Sequence, residues 1–275
     1  MRFFNVVTLG ALAMTATPAL AQDEEAGFDG PYVGGSFGYT IQNNDIGEFQ
    51  RFDRGLNGSF DTITTTTGAN AFSPGFCNGA ARGATPAGGC TNDRDDIEYH
   101  ACIGWDTQYG DWVVGVVGEF GKSEVRDSVT SFSTTPAFYT MTREIRWQGN
   151  VRGRFGYAAG GRTLFYATGG AAYARIRNGF TTSNGVNAFS DNGDSYSLGA
   201  VAGGGVEQKL GRNFSIGLEY LYTRYTDDDY RVRATAGNAV ASNPFVLNGQ
   251  PGTEFSRSDP RFDFHAIRAT AAFRF

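Results

Sequence analysis

The stretch REIRWQGNVRGRFGYA (143–158) decides the fold, because its side chains form two alternating sets that cannot exchange places. A period of two predicts a β-strand with two different faces. An arginine that faces lipid at the bilayer midplane costs about 2–4 kcal/mol in a barrel. One face is apolar or small and the other is polar, with Trp147, Gly149, Val151, Gly153, Phe155 and Tyr157 on the first and Arg146, Gln148, Asn150, Arg152 and Arg154 on the second. The stretch therefore predicts a strand whose arginines point into an interior and whose aromatic residues point into lipid.

Seven further alternating segments flank this one, and their separations follow a rule. Three of the connections are turns of four or five residues, and the other four, near 41–96, 122–142, 178–193 and 226–261, are long and polar. Short turns at the periplasmic end and long external loops are typical of transmembrane barrels, whereas a soluble sandwich does not predict this alternation. The segments are 31–40, 97–106, 112–121, 143–158, 163–177, 194–209, 214–225 and 262–275. The chain over 31–275 is therefore predicted to be all-β, an eight-stranded antiparallel transmembrane up-and-down β-barrel with both ends on the short-turn side.

The same alternation assigns a lipid-facing set to each of the other strands. A soluble barrel with a filled core is the alternative, but it does not explain the aromatic residues near the strand ends. The lipid-facing set is Val33, Gly35, Phe37, Tyr39, Tyr99, Ala101, Ile103, Trp105, Trp112, Val114, Val116, Phe120, Leu164, Tyr166, Ile176, Tyr196, Leu198, Ala200, Val206, Phe214, Ile216, Leu218, Tyr220 and Tyr222. The last strand must pair with the first, because an open strand edge cannot exist in hydrocarbon.

Charged residues on the inner faces predict a network inside the barrel. Counted from the short-turn ends, four of them lie at similar heights: Glu119, Arg152, Glu219 and Arg268. Buried charges must be paired, so these four are expected to contact one another at mid-barrel. Arg154 and Glu207 are expected below them and Arg175 above. An eight-stranded barrel is just wide enough for side chains to fill, which favours a structural role over an ion path.

The first residues predict export. MRFFNVVTLGALAMTATPALA (1–21) has a basic Arg2, a short apolar stretch and a small-residue cleavage motif at its end. These features are typical of a secretory signal peptide, and the apolar stretch is too short to span a bilayer. The mature chain is expected to begin near Gln22, and residues 22–30 are expected to form a short periplasmic segment.

Three cysteines in an exported chain raise the question of disulfides. Cys77 and Cys90 bracket a flexible segment rich in Gly and Ala, so we expect them to pair. Cys102 lies apart in an alternating segment and is expected to remain a thiol. Three free thiols are the alternative.

Several chemistries are disfavoured by the sequence. A formal net charge of −5 argues against nucleic acid as a partner. His100 and His265 fall on opposite faces of their strands, which argues against a shared metal or catalytic site. The GGG at 203–205 lacks the further glycine of a dinucleotide-binding fingerprint, and the DDD at 227–229 lacks the spacing of a calcium loop. The chain is therefore predicted to be no enzyme and to use no cofactor and no metal.

Five motifs, in order, resemble those of a known family: GPYVGGSFGYT, WQGNVRGRFGYAAG, LFYATGGAAYA, GGGVEQKLGRNFSIGLEYLYTRY and the final AAFRF. They are similar to the small outer-membrane β-barrel family, the porin-like surface antigens of alphaproteobacteria, which share their architecture with the barrel of outer-membrane protein A. The resemblance implies a location in the outer membrane of a Gram-negative cell, with its lipids as partners. It also implies that the terminal aromatic residues Phe273 and Phe275 form a signal read by the barrel assembly machinery. The long first loop departs from the family pattern.

These observations favour a non-enzymatic outer-membrane barrel that contributes to envelope structure and displays surface loops. A narrow porin for ions or small solutes is the first alternative. The second is a surface binding protein that uses its loops for adhesion or haem capture, with host or small-molecule ligands as partners.

Overall fold

The computed structural model describes residues 27–42 and 47–275, and the predicted signal peptide lies outside this range. Eight long antiparallel strands close into a barrel, in which each strand pairs with its two neighbours and the last pairs with the first. The barrel strands are β1 (Gly30–Gln42), β2 (Asp96–Tyr109), β3 (Trp112–Ser123), β4 (Ala137–Ala159), β5 (Thr163–Thr182), β6 (Ser195–Lys209), β7 (Phe214–Thr226) and β8 (Arg261–Arg274). The predicted fold class is confirmed.

Closure depends on β8, which has a partner on both edges. It pairs with β1 from Tyr32 opposite Arg274 to Gln42 opposite Phe264. On its other edge it pairs with β7 along its whole length. The alternating end of the chain is therefore a strand inside a continuous ladder, as the absence of water in hydrocarbon requires.

Three tight turns connect strands at one end of the barrel. They join β2 to β3, β4 to β5 and β6 to β7 and consist of residues 110–111, 160–162 and 210–213. Gly160 and Gly161 take positive φ angles of 58° and 68°, a region that glycine enters without steric cost. Both strand termini of the barrel, at Gly30 and Arg274, lie at this same end, which is periplasmic in such barrels.

The outward face agrees with the sequence alternation on most strands but not on β5. There Phe165 and Tyr173 face outward, and Leu164 and Ile176 are fully buried inside. The predicted lipid-facing set on this strand was therefore wrong. Apolar residues occupy both faces of β5, so alternation alone does not distinguish them. Pairing with β4, which places Phe165 opposite the outward Tyr157, decides the face.

A β-bulge corrects a second assignment. The register between β4 and β5 shifts so that Arg175 lies opposite Trp147 while Ile176 lies opposite Ile145, and Arg146 has no opposite residue. An extra residue in one strand exchanges its two faces beyond that point. Arg146 is therefore exposed, whereas Ile145 is buried. The prediction that Arg146 points into the lumen was wrong for this reason.

The four long connections fold into a cap over the external end of the barrel. A strand over Arg126–Ser133 pairs with the upper part of β4, and Gly75–Asn78 pairs with that strand in turn. A separate four-stranded sheet joins segments of the first, third and fourth connections, in the order Ala188–Asp191, Val232–Thr235, Thr253–Arg257 and Gln50–Arg54. Among the described residues, no helix is long and apolar enough to cross a membrane.

The cap has a hydrophobic core of its own. Phe52, Phe72, Tyr139, Phe245 and Phe255 are almost completely buried and pack ring against ring, with centroid distances such as 5.0 Å between Phe52 and Phe255. These residues come from stretches of the connections and from the top of β4 that show no sustained alternation. The cap core therefore left no pattern for the sequence analysis to detect.

Candidate functional site

A closed ring of four charged side chains crosses the middle of the lumen. Arg152 on β4 contacts Glu119 on β3 and Glu219 on β7, both at 2.8 Å. Arg268 on β8 contacts the same two carboxylates at 2.7 and 2.5 Å. All four side chains are nearly inaccessible to solvent. Each charge thus has two opposite charges beside it, and the structure brings together the four residues that the sequence placed at mid-barrel. We call this set the upper ring.

A second ring lies toward the periplasmic end. Arg154 contacts Asp106 at 2.6 Å and Glu207 at 2.9 Å. Arg274 completes the ring, at 2.8 Å from Asp106 and 2.9 Å from Glu207. The sequence alternation did not identify Asp106 and Arg274 as members of this ring. Their signal was inner parity at the strand ends, where an assignment of depth is least secure. We call this set the lower ring.

The space between the two rings is almost filled. The cavity there has a volume of about 40 Å³ and is lined by residues of both rings together with Tyr32, Cys102 and Tyr166. A cavity of this size holds only a few water molecules. The guanidinium of Arg154 lies against the rings of Tyr32 and Tyr166, at 5.3 and 4.9 Å from their centroids. The lumen at this level is a packed interior.

Arg175, predicted above the network, lies outside the lumen. Its guanidinium contacts Asp194 at 2.9 Å and lies 5.6 Å from the ring centroid of the outward-facing Tyr196. It occupies an outward position of β5 beside the bulge. Its assignment to the network was wrong because the face of β5 was wrong. Near the external end of the strand, a long side chain can extend its charge toward water.

The segment before β1 closes the periplasmic mouth. Phe28 is fully buried, and its backbone N–H donates a hydrogen bond to Oε1 of Gln108 at 2.6 Å. Lys209 donates to the carbonyl of Gly27. The charged groups of Lys209 and Arg274 each lie 5.1 Å from the Phe28 ring centroid. The last residues of the 22–30 segment therefore fold back into the barrel.

Above the upper ring, the lumen becomes first polar and then apolar. His100 and Gln148 are joined by a hydrogen bond of 2.9 Å, and the Tyr225 hydroxyl donates to Oε1 of Gln148 at 3.0 Å. The next layer is a hydrophobic cluster that includes Val125, Ile145, Ala172, Ala174, Ile176, Val201, Leu221, Phe262 and Phe264. Polar and then apolar side chains therefore occupy the lumen between the upper ring and the cap.

A third charged cluster lies under the cap. Asp127 contacts Arg143 at 2.5 Å and Arg257 at 2.7 Å, and Arg257 also contacts Glu48 at 2.6 Å. Burial by itself would raise the pKa of Asp127, but the two guanidinium groups hold that pKa below its ordinary value. The sequence pattern did not predict this cluster, because Glu48, Asp127 and Arg257 come from connections that carry no regular pattern.

The two histidines lie on opposite faces, as their parity indicates. His100 is buried in the lumen, 3.4 Å from the guanidinium of Arg268. His265 lies on the outer face between two tyrosines, and its Nδ1 is 2.6 Å from the hydroxyl of Tyr220.

The cysteines are arranged in one pair and one single residue within the described part of the chain. Cys77 and Cys90 form a disulfide in the first external connection. Cys102 is a free thiol on the inner side of β2, where it lines the small cavity between the rings.

The chain is similar in sequence to named outer-membrane proteins over part of its length. The 31 kDa outer-membrane immunogenic protein of Brucella melitensis is 32% identical over 111 residues, which are 40% of this chain and 46% of the relative. The 22 kDa outer membrane protein of Rhizobium leguminosarum bv. viciae is 30% identical over 158 residues, 57% of this chain and 66% of the relative. The match thus spans about half the length of the first relative. No protein-family model matches the chain.

A solved structure shows the same fold at low sequence identity. The outer membrane protein OprG from Pseudomonas aeruginosa superposes with a TM-score of 0.50 and 11% identity, over 91% of this chain and 99% of OprG. The closed barrel with its apolar outer face is thus that of an eight-stranded transmembrane protein. With the named relatives, this shows that the chain is similar to the small outer-membrane β-barrel proteins and that its location is the outer membrane.

Proposed function

We propose that this protein is a non-enzymatic and non-conducting barrel that contributes to envelope structure and displays a folded external cap. The observation that carries the proposal is the pair of charged rings. Every carboxylate and guanidinium in the two rings contacts two partners of opposite charge. These groups are thereby occupied with one another, and the layers above and below separate them from solutes.

An ion path would require these contacts to open. Removing one partner from a buried ion pair costs about 3–5 kcal/mol, because the other charge is left unpaired. A path would also have to displace Phe28 at one end and the apolar layer that contains Phe262 and Phe264 at the other. Three successive obstacles support a closed barrel over the alternative of a narrow porin.

Planar-bilayer recording of the refolded protein tests the proposal. We expect no steady conductance above the bare membrane, while protease protection of the barrel strands shows that the protein is inserted. A double variant, Phe28→Ala with Lys209→Ala, removes the periplasmic closure and should remain non-conducting, since both rings are still in place. Steady, reproducible conductance of the wild-type protein would instead favour the narrow porin.

A further inference from the structure

The outer surface of the cap contains a cleft of about 350 Å³, which is separate from the lumen of the barrel. All four external connections contribute to it. Residues 71–72 come from the first, 133–139 from the second and the adjoining top of β4, 183–186 from the third and 243–245 from the fourth. The turn at 134–136 ends the long hairpin that rises from the barrel. The cleft therefore opens far from the membrane-spanning strands.

Three aromatic residues of the cap core form the floor of the cleft. Phe72 and Phe245 come from two different connections and Tyr139 from the top of β4, and the three contact one another with ring centroids 5.4 to 6.0 Å apart. All three are at most 3% exposed, so they belong to the cap core as well as to the floor. A ligand would thus meet a surface that is already formed, which lowers the entropic cost of binding.

Amide groups fix the walls. Nδ2 of Asn184 donates to the Tyr139 hydroxyl and to Oδ1 of Asn187, both at 3.0 Å. Asn187 and Asn243 exchange hydrogen bonds between their side-chain amides, at 3.0 and 3.3 Å. These contacts join the third and fourth connections to the top of β4. They hold the cleft open without drawing on the hydroxyl groups of Thr134 and Thr135 at its rim.

The chemistry of the lining excludes a charged ligand. None of the described residues that line the cleft is an Asp, Glu, Lys, Arg or His. An ionic group leaving water would find no counter-charge here and would lose its hydration. Haem is disfavoured for the same reason, since its carboxylates would lack basic partners and no lining histidine could bind its iron.

The lining mixes apolar and hydroxyl surfaces. Pro136, Val186 and Pro244 present apolar surface, while Thr134 and Ser183 present hydroxyl groups. Oγ of Ser183 already accepts the N–H of Phe138 at 3.1 Å, which leaves its proton free to be donated. A purely apolar ligand would cover these hydroxyl groups without pairing them. A sugar ring carries both apolar C–H faces and hydroxyl edges, and the cleft volume lies at the lower end of the range for ligand sites.

From this combination we propose that the cleft binds a neutral saccharide of one or two units. The proposal goes beyond an envelope role and does not depend on whether the lumen conducts. It assigns a ligand class to the four external connections together, because removing any one of them would open a side of the cleft.

Binding can be measured on the full refolded chain in a detergent without a sugar headgroup. The probes are methyl glucoside, methyl galactoside, N-acetylglucosamine and lactose, with glucuronate and glucosamine as charged counterparts. Saturation-transfer NMR detects contact, and titration gives the affinity. We expect at least one neutral probe to bind with a dissociation constant below about 10 mM, and its charged counterparts to bind at least about tenfold more weakly.

A matched pair of variants localises the binding. Val186 lines the cleft and is 51% exposed, whereas Val240 is 71% exposed elsewhere on the cap. Val186→Trp should fill the cleft and weaken binding at least about tenfold, and Val240→Trp should leave it unchanged. The proposal is overturned if no neutral probe binds at about 10 mM, if the two variants behave alike, or if the charged probes bind as well. Binding of hemin that Val186→Trp abolishes would overturn it too.

Discussion

Arg152 and Arg268 show how one residue type can specify the inside of a barrel. Each guanidinium lies between the same two carboxylates, Glu119 and Glu219. An arginine that faced lipid would destabilise the barrel. An arginine buried in the lumen without a partner of opposite charge would also destabilise it. Only the paired, inward arrangement removes both penalties. The upper ring therefore fixes which face of four strands is the inside.

A double-mutant cycle at Glu119 and Arg152 tests the upper ring. Each single change, Glu119→Gln and Arg152→Gln, should lower the free energy of unfolding by about 3–5 kcal/mol, because the remaining charges lose a partner. The two changes together should cost less than their sum by about 0.5–3 kcal/mol. Urea unfolding in detergent provides the measurement.

The exposed pair Lys122 and Glu124 is the control for this cycle. These residues are 2.7 Å apart but are about one-third exposed. Surface pairs of this kind contribute about 0–1 kcal/mol, so Glu124→Gln should have little effect. Strict additivity at Glu119 and Arg152 would show that the two side chains do not interact in the folded protein.

Asp93 makes the cap sensitive to pH. Its Oδ1 accepts the backbone N–H of Ser128 at 2.8 Å. Burial, and after it the charge of Asp127, raise the pKa of Asp93 from 3.8 to about 7. The folded cap therefore holds a proton that the unfolded chain loses at lower pH. The stability that this proton gives is fully present below about pH 4 and is lost as the pH rises through 7.

Hydrogen exchange of the cap amides, corrected for intrinsic exchange rates, measures this dependence. Protection of the strand Arg126–Ser133 should fall between about pH 4 and pH 8 in the wild-type protein. Asp93→Asn keeps the acceptor for Ser128 but cannot ionise, so its protection should change much less over this range. Asp61→Asn, elsewhere in the first connection, should show the same change of amide protection with pH as the wild-type protein. If amide protection in Asp93→Asn changed with pH as much as in the wild-type protein, another group would cause the pH dependence.

At the scale of elements, the bulge between β4 and β5 separates two environments. Below it Arg152 and Arg154 point into the lumen, and above it Arg143 and Ile145 do. The extra residue, Arg146, lets the long β4 serve as a barrel strand and then as half of an external hairpin. Each part presents its own inner face.

The disulfide between Cys77 and Cys90 links two short strands within the first external connection. Cys77 lies on the strand that pairs with Arg126–Ser133, and Cys90 pairs with Ala81 in a two-residue ladder. Thiol labelling of the denatured, unreduced protein should find one reactive cysteine, which peptide mapping should identify as Cys102. Labelling after reduction should find three. Three reactive thiols before reduction would contradict the pairing.

At the scale of the whole molecule, the segment just before β1 and the last residues of the chain complete the barrel and its lower closure. Arg274 belongs to the lower ring, and the backbone N–H of Phe275 donates to the carbonyl of Pro31 at 3.1 Å. The Phe275 ring itself is 71% exposed and contacts Phe273 at 5.3 Å between centroids. The last side chain therefore contributes little to the finished fold.

Changing Phe275 should consequently separate assembly from stability. Full burial of an aromatic side chain contributes about 1.5–3 kcal/mol, so Phe275→Ala should cost less than that and still refold in detergent. If the terminal aromatic residue is read by the assembly machinery, the amount inserted in the outer membrane of cells should fall sharply. Deletion of Phe275 should have the same two effects.

Phe37→Ala is the matched control, because Phe37 is also outward-facing, at 59% exposure, but lies within β1. It should insert in cells at the wild-type level. Normal insertion of Phe275→Ala would remove the recognition role. Failure of that variant to refold would show that the residue acts through packing.

The sequence by itself determined the number of strands, their order and most of their faces. The reason is that a barrel in lipid imposes a strict rule on each strand separately: apolar outward, polar inward, with short and long connections in alternation. Residues such as Phe37, Trp105 and Arg152 report that rule without reference to any other strand. The members of the upper ring could also be predicted, because counting residues from the short turns gives the position of each side chain along the barrel axis.

Only the tertiary structure decided the features that depend on two strands or two connections at once. The face of β5 follows from its pairing with β4, and the position of Arg175 follows from that face. The cap core, the cluster around Asp127 and the surface cleft join residues that are far apart in the sequence and without a period. Local alternation reports the solvent that one strand faces, but it holds no information about which distant side chains will meet.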